Sequence, residues 1–294
     1  MSWLICTLIG ATLQTFRNLE QKYLNKKLDT LTVSWSRFIL PLPFAVIAVL
    51  TTLHCANSAF LFYVVITAIC QIAGNFLLLQ TIKSKNFSIG IAFYKTEVLQ
   101  TMLLGLIFFG EHISQIGIYA IFATVIGVIL MSNVTLKNFS KVFDKAAFLG
   151  ILSGLAFSIS AFNLKFASKE MMVQGFSTVT GPLLTLLWVI AVQNFIFFVI
   201  KCAQKRFIAD LKNLFAAENK SSFIKMGVLS FAGSFFWFIA YAIGNVIYVK
   251  AVGQIEMVLA VLISQVHLKE KHLLREMLGI AFTSIGILVL ILSH

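Results

Sequence analysis

The chain has 294 residues, of which 59% are hydrophobic and only 12% are charged, and its mean hydropathy is +0.94. Soluble globular domains carry about twice that share of charged residues, so this composition excludes the soluble class. The formal net charge of +12 is explained by membrane topology and contact with anionic lipid. Nucleic-acid binding is not indicated, because no cluster of basic and aromatic residues marks a soluble face.

Apolar segments recur along the chain at the length that a bilayer requires. A hydrocarbon core about 30 Å thick needs roughly 20 apolar residues per helix. Backbone groups in lipid must pair within the segment, which favours helices over open strands. We therefore predict an all-α integral membrane protein with ten transmembrane helices. They cover residues 3–22, 32–52, 59–82, 87–109, 113–132, 146–166, 175–200, 225–248, 252–268 and 274–293.

A stretch of the first half recurs in the second half at one fixed offset. Residues 71–131 align with residues 230–290 without a gap and give twelve identities in sixty-one pairs. Paired acids, glycines and threonines match by chance less often than apolar residues do. They are Glu97/Glu256, Glu111/Glu270, Gly74/Gly233, Thr124/Thr283 and Gly127/Gly286.

The repeat predicts how the two halves are arranged. An odd number of spans per half inserts the second copy into the membrane upside down, and such inverted repeats enclose a central cavity in secondary transporters. Spans one and two fit spans six and seven at an offset near 144, with weaker support. We predict a first five-helix repeat over residues 1–139 and a second, inverted one over residues 140–294, with a cytoplasmic insertion at about 201–224.

The basic residues are distributed unevenly between the connections. Even-numbered connections carry only Lys165, Lys169 and Lys250, and the odd-numbered ones carry most of the other basic residues. By the positive-inside rule, the odd-numbered loops are cytoplasmic and both termini are outside. We expect this topology in a plasma membrane, the inner membrane of a bacterium.

Span four places two ionisable side chains near the middle of the bilayer. Lys95 and Glu97 lie eight to ten residues from its start, which corresponds to about 12–15 Å along a helix. Such groups cost about 2.5–3.5 kcal/mol each to insert, so they are functional candidates by default. Residues two apart on a helix point in different directions, so these two cannot pair with each other. Tyr94 shares a face with Glu97, and Gln100 lies one turn further along.

Glu256 is the repeat counterpart of Glu97, and the symmetry places the two carboxylates near each other. Two carboxylates in a low-dielectric site can share a proton near neutral pH, which would couple transport to protons. The alternative is that Lys95, Arg17 or Arg37 neutralises the acids. Both remain open from the sequence.

Other polar side chains fall at helical spacing inside apolar segments. In span one they form a stripe in which Arg17 could offer its fork to a carboxylate or phosphate, or reach the interface instead. In spans three and eight, amides and aromatics suit recognition of an organic solute, although such residues also bridge helices. These candidates are Gln14, Asn18, Gln71, Asn75, Trp237, Tyr241 and Asn245, with Tyr241 and Asn245 predicted on one face of span eight.

Catalytic and metal-binding motifs are missing from the sequence. It contains no HExxH, no GxSxG and no spaced Cys/His cluster, so we predict no enzyme activity, no metal and no cofactor. Glu111 and Glu270 end their spans and are predicted to be structural charges.

Short glycine-containing motifs occur at residues 110–111 (Gly-Glu), 127–130 (Gly-Val-Ile-Leu) and 286–289 (Gly-Ile-Leu-Val). Together with the ten-span inverted duplication, they resemble the drug/metabolite transporter superfamily, specifically its EamA-type members. The resemblance implies a basket of ten helices with a central cavity that moves amino acids, nucleotide-linked or other small metabolites, or drugs. Many such transporters keep both termini in the cytoplasm, which differs from the charge-based topology here. One bacterial branch of this superfamily is resembled by the stretches at residues 17–19, 37–45 and 94–97.

Together these features predict a secondary-active transporter that moves a small organic metabolite or drug by alternating access, with proton coupling and exchange both open. A lipid flippase and a non-transporting membrane scaffold are the alternatives. Partners would be the solute and membrane lipid, and a monomer and a homodimer are both compatible with the sequence.

Overall fold

The computed structural model describes residues 2–83, 93–131, 145–268 and 274–292, without the side chains of residues 131 and 264–276. Within these ranges the chain is helical and contains no strand. In the first half the helices are α1 (Ser2–Lys27), α2 (Thr30–Ile39), α3 (Leu42–Thr52), α4 (Ser58–Lys83), α5 (Glu97–Phe108) and α6 (Gln115–Met131). In the second half they are α7 (Lys145–Val173), α8 (Thr180–Ala203), α9 (Phe207–Phe215), α10 (Ala217–Ile243), α11 (Val246–Val252), α12 (Ile255–Leu268) and α13 (Leu274–Leu292).

Length and composition identify several of the described helices as membrane spans. They are α4, α7, α8, α10 and the stretch Val246–Ile263 that joins α11 to most of α12. The pair α2–α3 is apolar enough to count as one further candidate span and is bent by 57°, because Pro41 lies at the break and cannot donate a backbone hydrogen bond. Shorter apolar helices cover Gln115–Leu130 and Met277–Leu292. The structure thus confirms an all-helical, multi-pass membrane protein.

The predicted boundary between spans eight and nine is wrong. Helix α10 ends at Ile243, and the side chain of Asn245 starts α11 by accepting hydrogen bonds from the backbone N–H groups of Ile247 at 2.9 Å and Tyr248 at 3.3 Å. A glycine followed by asparagine is a common helix stop and start. As a result, Lys250 lies inside a helix and is buried, whereas the sequence analysis placed it in a loop.

The chain turns at the two positions that precede the paired acids. A helical segment at residues 93–95 ends in a turn at Thr96, and α5 begins at Glu97. Likewise α11 ends before a turn at residues 253–254, and Glu256 is the second residue of α12. Both carboxylates therefore lie in the first turn of a helix, where the macrodipole stabilises a negative charge.

Three pairs of helices make the most extensive contacts: α1 with α10, α4 with α7, and α6 with α13. In the last pair the backbones touch through glycines. A Cβ atom at Gly127 would lie 2.6 Å from the carbonyl oxygen of Gly279, and one at Gly286 would lie 2.7 Å from that of Ala120. Small residues at such crossings let membrane helices pack closely.

The predicted insertion at residues 201–224 is helical along most of its length. It contains the end of α8, all of α9 and the first turns of α10. Lys201 is fully buried there, and its ammonium group donates to Asp210 at 2.7 Å and to Thr32 at 2.8 Å. Asp29 lies 3.4 Å from the same ammonium group, so this cluster ties the α1–α2 connection to α8 and α9.

Candidate functional site

A polar cavity lies between helices of both halves, beside the two turns described above. It offers about 80 Å³ for the centres of water molecules, which is room for several waters. Most of the side chains selected from the sequence line it. They are Gln14, Arg17, Asn18, Gln71, Asn75, Tyr94, Glu97, Trp237, Tyr241 and Glu256.

The cavity lies about halfway along α1 and α7. Gln14 is near the middle of the 26-residue helix α1, and Ser160 is near the middle of the 29-residue helix α7. The polar groups of the cavity are therefore about as far from one end of these helices as from the other.

Two of the remaining predicted residues lie just behind the cavity wall. Lys95 is buried and forms an ion pair with Glu256, which does line the cavity. Gln100 donates a hydrogen bond to the hydroxyl of Thr96 at 3.3 Å. Its position supports the turn before α5 and does not reach the cavity.

Asn245 is the predicted residue that the structure places elsewhere. Its side chain caps α11 and donates to the carbonyl oxygen of His112 at 3.0 Å. The face that it was predicted to share with Tyr241 does not exist, because the helix ends between the two residues.

Two lysine–glutamate pairs cross between the halves of the chain. The ammonium group of Lys250 lies 3.2 Å from Glu97, and Lys95 pairs with Glu256. All four side chains are only 4% to 10% exposed. The sequence left open whether the acids meet each other or a base, and in the structure each carboxylate faces a lysine.

Amide side chains complete the surroundings of both acids. Gln14 donates to Glu256 at 2.6 Å, and the amide nitrogen of Gln254 lies 3.5 Å from Glu97. Both contacts again join one half of the chain to the other. The carboxylates are thus held by donors from opposite halves, as buried charges require.

Two guanidinium groups also line the cavity, Arg17 and Arg37. Arg17 donates to Asn18 at 2.8 Å, and Arg37 donates to Asn75 at 2.7 Å. Each side chain is 7% exposed, and among the described residues neither has a carboxylate within 4.0 Å. Neither guanidinium group therefore forms an ion pair within the described part of the chain.

Aromatic rings form another part of the wall. Trp237 and Tyr241 are stacked, with their ring centroids 5.4 Å apart and an interplanar angle of 19°. The indole N–H of Trp237 is buried and has no hydrogen-bond partner among the described groups. Gly253 lies against this indole, where a Cβ atom would collide with the ring.

Several lining residues were not selected from the sequence. Lys250 was missed because it was assigned to a loop, and the Gly-Asn stop signal before it could have corrected that assignment. Gln254 is the repeat counterpart of Lys95, and the offset that paired the acids could have identified it. Arg37 was considered as a neutraliser of the acids and, like Arg17, as an anion-binding or interfacial arginine, but it was not selected as a site residue. Phe157, Ser160 and Ser234 also line the cavity and carry no distinctive sequence signal.

Comparisons with known proteins agree with this picture. The model of the EamA-like transporter family matches residues 1–133, and no curated protein matches the chain. Among 28 matching chains of solved structures is one described only as the crystal structure of a protein. It has a TM-score of 0.71 and 11% sequence identity, and the match covers 98% of both chains. At that identity the likeness shows the fold alone.

The family match confirms the resemblance noted in the sequence. EamA-like proteins are generally non-enzymatic, and the family suggests a membrane transporter of the drug/metabolite superfamily. Residues 1–133 of the chain are thus similar to the EamA-like transporter family.

Proposed function

We propose that this protein is a secondary-active transporter that moves a small organic metabolite or drug by alternating access. The observation that carries the proposal is the buried polar cavity, which lies about halfway along α1 and α7 and is bridged by ion pairs between the two halves. Rocking of the halves around such a site would open it to each side of the membrane in turn.

Packing supports two inverted five-helix repeats as the moving units. The offsets of 159 and 144 residues exchange the pair α4–α7 with the pair α10–α1, and both pairs are extensive contacts. A Cβ atom at Gly74 would lie 3.0 Å from the ring of Phe157, and one at Gly233 would lie 3.4 Å from Leu13. The same two offsets relate these contacts, and the family match ends at residue 133, close to the predicted end of the first repeat.

Breaking of the ion pairs would start the movement of the two halves. Glu97 with Lys250 and Glu256 with Lys95 each connect the halves, so a solute that competes for one partner would weaken the contact between them. A proton that neutralised a carboxylate would do the same. Exchange and proton coupling are therefore two forms of one mechanism.

Access to the cavity can be tested without knowing the solute. In a variant lacking the four native cysteines, Ser160→Cys should react with a membrane-impermeant methanethiosulfonate added from either side. Ser168→Cys is the matched control, because Ser168 is buried on the same helix and does not line the cavity. Reaction of Ser160→Cys from one side only, or from neither, would contradict alternating access.

Transport itself is tested with solutes that raise the melting temperature, since ligand binding stabilises the native state. Glu97→Gln should abolish their movement into proteoliposomes when activity is normalised to folded protein. Assays with and without a pH gradient separate proton coupling from exchange. Undiminished transport by Glu97→Gln would remove the role proposed for this carboxylate, and movement of labelled lipid instead of solute would favour a flippase.

A further inference from the structure

We propose that the cavity binds an anionic group of its solute, a carboxylate or a phosphate, between Arg17 and Arg37. This inference rests on the proposed transport function and specifies its substrate class. It follows from the charges in the cavity, the geometry of the two guanidinium groups and the network that holds them.

The charges around the cavity do not balance. Glu97 and Glu256 are neutralised by Lys250 and Lys95, respectively. Arg17 and Arg37 then remain as two positive charges that line the same cavity. Burying two like charges without a counter-charge is costly, so an anion entering the cavity would relieve an unfavourable arrangement.

Both guanidinium groups have N–H donors without an acceptor among the described residues. Each has five N–H donors, and the structure gives each a single side-chain acceptor, which is a neutral amide oxygen. The Nε atoms of Arg17 and Arg37 are buried and have no partner among the described residues. A planar fork of this kind binds carboxylate or phosphate with two parallel hydrogen bonds.

A polar network positions Arg37 for that task. The oxygen of Asn75 accepts from Arg37 at 2.7 Å and from Gln21 at 3.0 Å, and its amide nitrogen donates to Ser34 at 2.9 Å. The amide is thereby fixed in one orientation, and Arg37 is anchored through one terminal nitrogen. Groups preorganised in this way lose little entropy when a ligand binds.

A structural ion pair is the competing explanation for buried arginines. Other described acids near the helix ends are already occupied: Asp29 and Asp210 with Lys201, and Glu111 with Lys165. No described carboxylate lies within 4.0 Å of either guanidinium group, which favours an external anion.

The stacked rings of Trp237 and Tyr241 line the same cavity. They offer a flat surface for the body of an organic anion, and the unpaired indole N–H adds one donor. The anionic group could be carried by a soluble organic acid or by a lipid headgroup, and the test separates these two sources.

The first measurement uses Ser160→Cys in phosphatidylcholine vesicles and needs no arginine variant. Modification rates are measured with the anionic sulfonatoethyl and the cationic trimethylammonioethyl methanethiosulfonates, each divided by its rate with a free thiol. We expect the normalised rate to favour the anionic reagent. A preference for the cationic reagent would overturn the proposal, and access from both sides would still leave alternating access standing.

The second measurement uses protection of the same thiol by phenyl phosphate and benzoate, with benzylamine as the cationic comparison. Arg17→Gln or Arg37→Gln should raise the half-protecting concentration of the anions at least about tenfold, as loss of a charged hydrogen bond implies. Arg206→Gln, the same change at a residue that does not line the cavity, should leave it unchanged.

The lipid arm repeats the experiment in vesicles that contain phosphatidylglycerol. If phosphatidylglycerol protected the thiol and phenyl phosphate did not, the anionic group would be assigned to a lipid headgroup. Protection by neither anion source, or by benzylamine alone, would overturn the anion site.

Discussion

At the scale of single residues, the two lysine–glutamate pairs are the most informative feature of this protein. Each acid could have been satisfied within its own repeat, yet both are paired across the halves. A buried pair of this kind adds little net stability over an apolar pair, but loss of one partner leaves an uncompensated charge. The arrangement therefore fits a contact that must break and re-form better than it fits a permanent brace.

A double-mutant cycle on Glu97 and Lys250 tests this interpretation. Glu97→Gln and Lys250→Gln should each lower the free energy of unfolding by about 3–5 kcal/mol, because each strands the other partner. The double variant should lose less than the sum of the two single losses. Thermal unfolding in detergent provides the measurement.

The exposed pair Lys225–Glu20, at 3.9 Å with Lys225 62% exposed, is the control for that cycle. Lys225→Gln should cost no more than about 1 kcal/mol. If the losses at Glu97 and Lys250 added up in the double variant, the two side chains would not be energetically coupled.

The sequence reached part of this arrangement. The repeat offset predicted that Glu97 and Glu256 share a cavity lining, and helix periodicity predicted that Lys95 cannot pair with Glu97. Lys250 was not predicted as a site residue, because the apolar segment before it continues past the true end of α10. Tertiary packing determines where a helix ends within such a segment. The pairing of each lysine with its glutamate depends on long-range contacts, for which the sequence carries no local signal.

At the scale of elements, the first turn of α2 shows how a connection is fixed. Asp29 caps this helix by accepting from the backbone N–H of Thr32 at 3.2 Å, and it also lies beside Lys201. Partial burial alone would raise the pKa of Asp29, but the hydrogen bond from Thr32 and the charge of Lys201 outweigh it and lower the pKa below its ordinary value.

Substitutions at Asp29 should separate the cap from the charge. Asp29→Ala loses both and should destabilise by about 1 kcal/mol, whereas Asp29→Asn keeps a good capping group and should cost less. Because the folded pKa is depressed, the contribution of the charge is present above the ordinary pKa and disappears as the pH falls through the folded value. The melting temperatures of wild type and both variants are measured as the pH is lowered from 7 to 3. The difference in melting temperature between wild type and Asp29→Asn should shrink as the pH falls. If that difference stayed constant, the charge of Asp29 would not be its cause.

The contact between α6 and α13 should depend on the absence of two side chains. Gly127→Ala or Gly286→Ala would push a methyl group into the backbone of the facing helix, so we expect each to lower the melting temperature clearly. Ile126→Ala changes the neighbouring residue, which is 49% exposed, and serves as the control. Equal effects at Gly127 and Ile126 would show that close packing of the two backbones is not required.

Helix positions were predictable to the extent that hydropathy determines them. The limits of α4 agree within a residue with the predicted span at 59–82, because its ends are marked by polar residues. The bend at Pro41 and the turns before Glu97 and Glu256 were not predicted. The two turns are held by local backbone hydrogen bonds, from Thr96 to Phe93 at 3.2 Å and from Gln254 to Ala251 at 3.1 Å. Residue spacing along the sequence does not distinguish such a turn from a continuing helix.

At the scale of the whole molecule, the structure sharpens the charge asymmetry used to predict orientation. Lys250 no longer counts as a loop charge, since it is buried against Glu97, and Lys165 is paired with Glu111. The end of the molecule that carries Lys27, Lys83 and α9 therefore holds an even larger share of the free basic residues. The proposal that this end faces the cytoplasm becomes stronger.

Two positions at opposite ends of the α7–α8 pair can decide that orientation. Cys202 is exposed near the end of α8, and Val173 is 85% exposed at the end of α7. In intact cells, an impermeant maleimide should label Val173→Cys and spare a protein whose only cysteine is Cys202, because positively charged loops stay inside. Inside-out vesicles should give the reverse pattern and thereby control for reactivity of each thiol. Labelling of Cys202 from outside would invert the molecule and assign both termini to the cytoplasm, as in many transporters that the sequence resembles.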